Sequence, residues 1–266
     1  MISASKTKIA FFDFTGCEGC QLAVIDCLQI HPELLEAVEI VQFREAISEH
    51  GEDYQIAFVE GSCTRSQDEA RLQKIRAQAD MVIALGACAH LGGINALRNW
   101  QALATVRRTV YGEIGNFDTS YAARPISAII PVDASLPGCP INPQEFVHTV
   151  KRLLLGLKPK LPDCSVCVEC KLNENLCLVM QGQACLGAIV RAGCGALCPS
   201  FGIGCAGCRG FISTPNLSGL QIAQQEHGLQ STEVTAKEHL FMSYTLMESE
   251  AKSHGHSAGS NPDSPG

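Results

Sequence analysis

Hydrophobic residues occur in short, nearly continuous runs through the first half of the chain, separated by segments of helical periodicity. Five runs rich in β-branched and aromatic residues predict strands at Lys8–Phe14, Val38–Phe43, Gln55–Val59, Met81–Leu85 and Ile126–Val132. Continuous apolarity is typical of parallel strands that are buried on both faces. The alternation of strand and helix therefore predicts an α/β fold with a doubly wound parallel sheet over residues 1–157.

Local signals mark the helices between these strands. Ser66 and Glu69 form a capping-box pattern ahead of a helix at Ala70–Ala79. Asn142 and Pro143 suit the cap and the first turn of a last helix. The apolar residues of that helix fall on one stripe: Phe146, Val147, Val150, Leu153, Leu154 and Leu157.

The pattern changes after residue 157. Lys158–Pro162 has the composition of a linker, and residues 158–215 form a small, irregular segment rich in cysteine and glycine. Such a segment buries too little apolar area to fold alone, so bound metal is expected to stabilise it. Residues 216–266 are a C-terminal extension, predicted to be helical at Thr235–Glu250 and disordered from Ser253 onward.

Charge and hydropathy exclude several functions. The 266 residues carry a net charge of -7, which argues against a nucleic-acid partner and against a polybasic membrane-binding protein. No run approaches the roughly 18 apolar residues of a transmembrane helix, so we expect no membrane segment. The first residues show neither a secretory nor a twin-arginine signal. The expected location is cytoplasmic.

Cysteine is the most informative residue. The chain has 15 cysteines, an odd number and a high one for a cytosolic protein, in which disulfides are rare. Nine of them lie between Cys164 and Cys208. Thiolates at this density suit iron–sulfur clusters or zinc.

Four other cysteines follow predicted strands of one sheet. Cys17 and Cys20 come directly after the first strand, and this C-x-x-C pair could be a redox dithiol, two zinc ligands or half of a cluster site. Cys88 and Cys139 follow two later strands. Because ligands bind at the carboxyl ends of parallel strands, the four thiolates could hold one [4Fe–4S] cluster. The alternative is four independent buried thiols.

The later cysteines have two spacing patterns: Cys164-x2-Cys167-x2-Cys170-x6-Cys177-x7-Cys185, and Cys194-x3-Cys198-Pro199-x5-Cys205-x2-Cys208. A cysteine followed by proline also closes bacterial ferredoxin motifs, although the remaining spacing differs from theirs. Two zinc sites of four cysteines each remain the alternative.

Several segments resemble the small subunits of [NiFe] hydrogenases. They are TGCEGCQLAVID (15–26), VEGSC (59–63), GACAHLGGI (86–94) and PGCPINP (137–143). The later segments VCVECK (166–171), CLVMQGQACLG (177–187) and AGCGALCPSFGIGCAGCRG (192–210) resemble the cytoplasmic branch. This branch includes sulfhydrogenase-type, F420-linked and methyl-viologen-reducing enzymes.

The resemblance implies a flavodoxin-like domain and three cysteine sets, each holding one [4Fe–4S] cluster. The proximal set is Cys17, Cys20, Cys88 and Cys139; the medial set is Cys194, Cys198, Cys205 and Cys208; the distal set is Cys167, Cys170, Cys177 and Cys185. Export-type relatives have a histidine in place of Cys167, and only three medial cysteines where this chain adds Cys198.

The resemblance also implies the function. The chain would relay electrons between the nickel–iron centre of an obligate large subunit and diaphorase or reductase subunits carrying flavin or iron–sulfur groups. No residue of this chain would be catalytic. One alternative is the cluster-bearing subunit of a complex-I-like or membrane-bound hydrogenase, which holds only the proximal cluster. The alternative from another class is a zinc-stabilised binding module.

Five further residues have open roles. Cys27 is expected to be a buried structural thiol, and Cys164 could compete as a distal ligand. Cys63 is expected near the proximal set, either unligated or altering its ligation. Glu60 could move protons near the partner or have only a packing or solvated role. His90 could donate to a cluster sulfide or be an ordinary loop histidine.

Overall fold

The sheet and the helices that flank it span most of the first 157 residues. The structure is a computed structural model that describes residues 6–112 and 120–255. The strands are β1 Thr7–Asp13, β2 Val38–Phe43, β3 Ile56–Glu60, β4 Met81–Leu85 and β5 Ala134–Leu136. The α-helices are α1 Gly19–Ile30, α2 Glu33–Ala37, α3 Ser66–Gln78, α4 Gly86–Leu91, α5 Leu103–Tyr111, α6 Pro143–Leu154, α7 Val166–Leu172, α8 Leu197–Ser200, α9 Leu217–Glu226 and α10 Ser231–Gly255. Within the described residues, 3-10 helices lie at Gly93–Trp100, Ile126–Ala128 and Val179–Gln181.

The five strands form one parallel sheet in the order β2-β1-β3-β4-β5. This is the strand order of flavodoxin-like folds, and it confirms the fold predicted from the sequence. Alternate residues of β1 enter two cores on opposite faces of the sheet. On one face the Phe11 ring stacks on Phe43 and Phe58, with centroid separations of 4.4 and 5.0 Å.

The prediction of a fifth strand at Ile126–Val132 is wrong. This segment begins with a 3-10 turn at Ile126–Ala128, and the strand that pairs with β4 is Ala134–Leu136. Pro131 cannot donate a ladder hydrogen bond, whereas Asp133 exchanges backbone and side-chain hydrogen bonds with Val82 at the start of the pairing. The apolar residues Ile126 and Ile130 instead pack onto the second core.

Two helix starts differ in how well the sequence predicted them. The Asn142 side chain caps α6 by accepting the backbone N–H groups of Gln144 and Glu145 at 2.9 and 3.1 Å, as predicted. Helix α3 is present, but the capping box is not, because Arg65 occupies the cap position without a side-chain hydrogen bond. The Glu69 carboxylate binds Tyr121 and Arg124 instead.

The cysteine-rich segment and the C-terminal extension share one core. Val166, Leu186 and Val190 pack with Leu220 of α9 and Met242 of α10. Helix α10 also contacts the sheet part of the chain: the Trp100 ring stacks on His239 at 4.2 Å, and its Nε1 donates to Ser243 Oγ at 2.9 Å.

Helix α10 is longer than predicted. It covers the expected helix Thr235–Glu250 and continues through Gly255, so Ser253–Gly255 are helical. The remainder of the predicted disordered tail, residues 256–266, lies outside the described residues. The division of the chain at residues 157/158 and 215/216 stays a prediction.

Candidate functional site

The proximal set lies at the carboxyl edge of the sheet. The strands β1, β3, β4 and β5 are parallel neighbours and end at this edge. Cys17 and Cys20 follow β1, Cys88 lies in α4 directly after β4, and Cys139 comes three residues after β5. Parallel pairing alone therefore brings these cysteines to one edge.

Glycines allow the proximal loops to approach one another closely. A Cβ atom on Gly86 would collide with the Cys20 sulfur, and one on Gly93 would lie 2.9 Å from the Cys88 sulfur. Both glycines have positive φ angles of 82° and 54°, which other residues adopt only with strain. The sequence at these two positions is thus adapted to sulfur atoms next to the backbone.

The proximal thiols also influence one another's ionisation. Burial raises the pKa of Cys88 to about 12, and the nearby thiols of Cys139 and Cys17 contribute to the rise. Burial and the Glu60 carboxylate raise the pKa of Cys20, and Cys139 and Cys88 add to the effect. Thiolates this close together need a compensating positive group, and iron would supply it.

Glu60 anchors the C-x-x-C loop. Its buried carboxylate accepts the backbone N–H of Cys20 at 3.1 Å and that of Gln21 at 2.9 Å. These are orphan donors of the first turn of α1, whose own cap residue, Glu18, offers no side-chain hydrogen bond. Burial raises the pKa of Glu60, while the two backbone donors oppose the rise. The alternative that the Glu60 side chain is exposed to solvent is wrong. The side chain is buried, and its carboxylate accepts two backbone hydrogen bonds.

The distal set lines one cavity of about 330 Å³. Its four cysteines come from α7 and from the loops around the 3-10 turn at Val179–Gln181. A Cβ atom on Gly187 would lie 3.5 Å from the sulfurs of both Cys167 and Cys185. Burial raises the pKa of Cys167 to about 11, and the other three thiols of the set contribute.

The medial set lines a second cavity of about 500 Å³. Cys194, Cys198, Cys205 and Cys208 surround it, together with Cys139 of the proximal set and Phe241 of α10. Burial raises the pKa of Cys208 to about 11, with a further contribution from Cys194 and an opposing effect of the Cys139 backbone N–H. The medial set therefore adjoins the proximal set at Cys139.

A buried arginine links the proximal and medial loops. Arg209 is 1% exposed, and its Nη1 and Nη2 atoms bind the two carboxylate oxygens of Glu145 at 2.9 and 2.8 Å. Its Nη1 also donates to the Pro137 carbonyl, and its Nε donates to the Ala192 carbonyl. The loop before Cys139 is thus held against the loop before Cys194.

Two contacts link the medial and distal loops in a similar way. The backbone N–H of Cys205 donates to the Cys185 sulfur at 3.2 Å. Glu169, between two distal cysteines, accepts the backbone N–H groups of Gly193 and Ala196 at 2.8 and 3.2 Å. The three cysteine sets therefore lie in the order proximal, medial, distal, with direct contacts at both junctions.

The three remaining cysteines lie apart from these cavities. Cys27 is buried in the first core, where its thiol donates to the Pro143 carbonyl at 3.6 Å. Cys63 packs in the core on the opposite face of the sheet from Cys20 and contacts the Tyr121 hydroxyl at 3.1 Å. Cys164 is exposed.

His90 occupies a different environment from the one considered for it. It lines a surface cavity with Asp133, Lys158 and Arg191, separate from the cavities of the cysteine sets. Burial lowers the pKa of His90 to about 4, and the nearby Arg191 and Arg209 contribute to the decrease. This location favours a structural role over a cluster contact, although His90 lies in helix α4 and not in the expected loop.

The comparison with known proteins identifies the family. The family model described as NADH ubiquinone oxidoreductase, 20 Kd subunit, matches residues 17–153. Sulfhydrogenase 2 subunit delta of Pyrococcus furiosus is 34% identical over 215 residues, which is 80% of this chain and 90% of that protein. The chain belongs to the hydrogenase small-subunit branch of this family.

Other relatives support the assignment of this small subunit. One subunit of the vhu-type F420-non-reducing hydrogenase of Methanocaldococcus jannaschii is 34% identical over 76% of this chain and 81% of its own length. The solved structure of an NAD+-reducing [NiFe]-hydrogenase in the H2-reduced state matches with a TM-score of 0.53 and 27% identity, over 59% of this chain and 96% of that one. The predicted enzyme class, an oxidoreductase of the hydrogenase type, is confirmed.

Two observations apply only to the described part of the small subunit. Within residues 6–112 and 120–255, no three His, Cys, Asp or Glu side chains converge closely enough to share a single metal ion. None of the helices in these ranges has the length and apolarity that a membrane crossing requires.

Three residues of the site were not singled out from the sequence. Arg209 and Glu169 lie inside the cysteine motifs and resemble ordinary charged loop residues, and their partners are up to 64 residues away. Gln224 is in α9, which the sequence pattern did not assign, yet it binds Cys185. The only signal in the sequence was the placement of Arg209 and Glu169 directly beside cysteines.

Proposed function

We propose that this chain is the electron-relay subunit of a [NiFe] hydrogenase and that it carries three [4Fe–4S] clusters. One observation supports this above all: three sets of four cysteines are grouped separately and contact one another in series. The ligands would be those of the proximal, medial and distal sets defined above. The nickel–iron centre would belong to a large-subunit partner.

The residues of the chain would position and shield the clusters. Bound clusters supply one-electron transfer, and their potentials depend on hydrogen bonds to sulfur and on burial. Glu60 would hold the C-x-x-C loop, Arg209 would fix the proximal-to-medial junction, and Glu169 would fix the medial-to-distal junction. Burial of Cys20 and Cys205, 7% exposed each, would keep water from the relay.

The order of the three sets leaves the proximal and distal sets at the two ends of the relay. Both ends have exposed cysteines, Cys17 and Cys139 in the proximal set and Cys177 in the distal set, although Cys198 of the medial set is exposed as well. The exposed proximal edge would face the large subunit, and the distal end would face a diaphorase or reductase subunit. We propose a cytoplasmic location, in keeping with the reduced thiols that cluster assembly needs.

The complex-I-like alternative is less well supported. It requires the proximal set only, and it leaves eight further cysteines around two cavities without a role. The zinc-stabilised module explains the cysteine-rich segment but not the proximal edge of a hydrogenase-type sheet. Visible absorption separates the two chemistries, because zinc thiolates are colourless and iron–sulfur clusters are brown.

The test compares one ligand from each end of the relay in the assembled complex. Cys17→Ser should remove or remodel the proximal cluster, so that hydrogen-dependent reduction of every acceptor falls steeply. Cys170→Ser should alter the distal cluster, so that the physiological acceptor is reduced slowly while a small dye keeps much of its rate. Cys27→Ser is the matched control, since Cys27 shares helix α1 and its core with Cys20 but its thiol contacts the Pro143 carbonyl and lines neither the medial nor the distal cavity. Equal loss of dye reduction in the two ligand variants, with normal assembly, would contradict the proposed order.

A further inference from the structure

Helix α9 forms a wall of the distal cavity that the cysteine motifs do not supply. Leu220, Ala223 and His227 line the cavity together with the distal cysteines. Residues three and four apart share one face of a helix, so Gln224 is on the same side of α9 as these residues; it does not itself line the cavity but contacts the cavity residue Cys185. Gln224 is 0% exposed.

Only one of the two polar groups of the Gln224 side-chain amide has a hydrogen-bond partner in the described part of the protein. Its Oε1 accepts the backbone N–H of Cys185 at 3.2 Å, which fixes the orientation of the amide. Its Nε2 has no hydrogen-bond partner among residues 6–112 and 120–255. A buried donor without a partner carries an uncompensated desolvation penalty, so this nitrogen needs an acceptor.

The neighbouring protein groups do not provide that acceptor. Glu238, a buried carboxylate on the packed helix α10, also has an Oε1 atom without a partner in the described part of the chain, so the amide and the carboxylate do not satisfy each other. Because Oε1 is held on Cys185, the NH₂ group on the same carbon stays beside that residue. A thiolate or an inorganic sulfide is the acceptor that the proposed cluster would place there.

We propose that Gln224 donates a hydrogen bond from Nε2 to a sulfur of the distal cluster and thereby raises the reduction potential of that cluster. This inference rests on the proposed function. Reduction adds negative charge to a cluster, and a hydrogen bond to sulfur stabilises that charge. The C-terminal extension would then set the potential at the exit of the relay.

The test is a redox titration of the assembled complex followed by electron paramagnetic resonance. Gln224→Glu keeps the acceptor for Cys185 but removes the donor, and Gln224→Met removes both without adding charge. At the midpoint potential of the wild-type distal cluster, the ratio of reduced to oxidised cluster should be about tenfold lower in each variant than in the wild type. This corresponds to a decrease in midpoint potential of about 59 mV for a one-electron couple. The proximal and medial signals should stay unchanged.

Gln225→Glu and Gln225→Met are matched controls, because Gln225 is the next residue of α9 and its side chain is exposed. They should leave the distal potential unchanged. An unchanged distal potential in Gln224→Met, with full iron content, overturns the inference, and so does an equal shift in the Gln225 variants. Absence of any distal signal in the wild-type complex would instead contradict the proposed function.

Discussion

In the sheet part of the molecule, four cysteines reach one edge because parallel strands end there, over cores that include Phe11, Phe43 and Phe58. In residues 164–210, the α-helices have at most seven residues, and the core is a small cluster around Leu186 and Val190. The proposed cluster sites thus differ in their support: hydrophobic packing holds the proximal set, whereas the medial and distal sets have a few polar contacts and would depend on the bound groups themselves. The two regions should respond differently to the same perturbation.

Removal of iron should produce the largest difference between the responses of the two regions. After anaerobic chelation of the assembled complex, amide hydrogens of residues 164–212 should lose nearly all protection from exchange, because the segment has only a small core of its own and would lose the bound groups that join its loops. Amides of β1, β3 and β4 should keep theirs, since those strands are buried on both faces. Hydrogen-exchange mass spectrometry measures both in one sample. Retained protection in the cysteine-rich segment would show that it does not need a metal.

Loss of the arginine that joins the two regions should have the next largest effect. Arg209→Met leaves the Glu145 carboxylate half-buried without its bidentate partner, which costs about 3–5 kcal/mol in local opening free energy. Hydrogen exchange of the flanking segments, 137–145 and 192–209, reports this loss. The control is Lys74→Met, which removes a pair with Glu52 that is exposed to solvent; pairs of this kind add little to stability. Similar effects of the two substitutions would contradict the role assigned to Arg209.

Replacement of Cys164 should have the smallest effect. Its side chain is exposed, and it does not line the distal cavity that Cys167 lines. Cys164→Ser should therefore keep the full iron content, whereas Cys167→Ser should lose or rebuild one cluster, up to about four iron atoms. Iron analysis of the two purified complexes checks this. A loss of iron in Cys164→Ser would make Cys164 a ligand.

The sequence was sufficient for four of the five strands, whereas the assignment of the cysteines to three clusters stays a prediction. Continuous apolar runs such as Met81–Leu85 identified the buried strands, and the Asn142 cap gave the start of α6. The sequence failed where tertiary contacts outweigh local pattern. The apolar run Ile126–Val132 covers a core without joining the sheet, and the three-residue strand that does join, β5, has no run of its own.

The polar contacts around the cysteines could not be predicted for a different reason. Glu60 binds α1 across 40 residues of sequence, and Gln224 binds Cys185 across 39. The local sequence pattern does not indicate which loops come into contact, because these contacts depend on how the two parts of the chain pack together. The role of α9 and α10 therefore emerged only from the fold.

Counting iron and sulfide in the anaerobically purified complex, with the iron of partner subunits subtracted, decides whether three four-iron clusters occupy the three cysteine sets. We expect about twelve iron atoms and about twelve sulfides in this chain. Serine variants of Cys20, Cys205 and Cys185, one from each set, should each affect a different cluster signal. A count near four, or two equivalents of zinc in place of iron, would contradict the three-cluster relay.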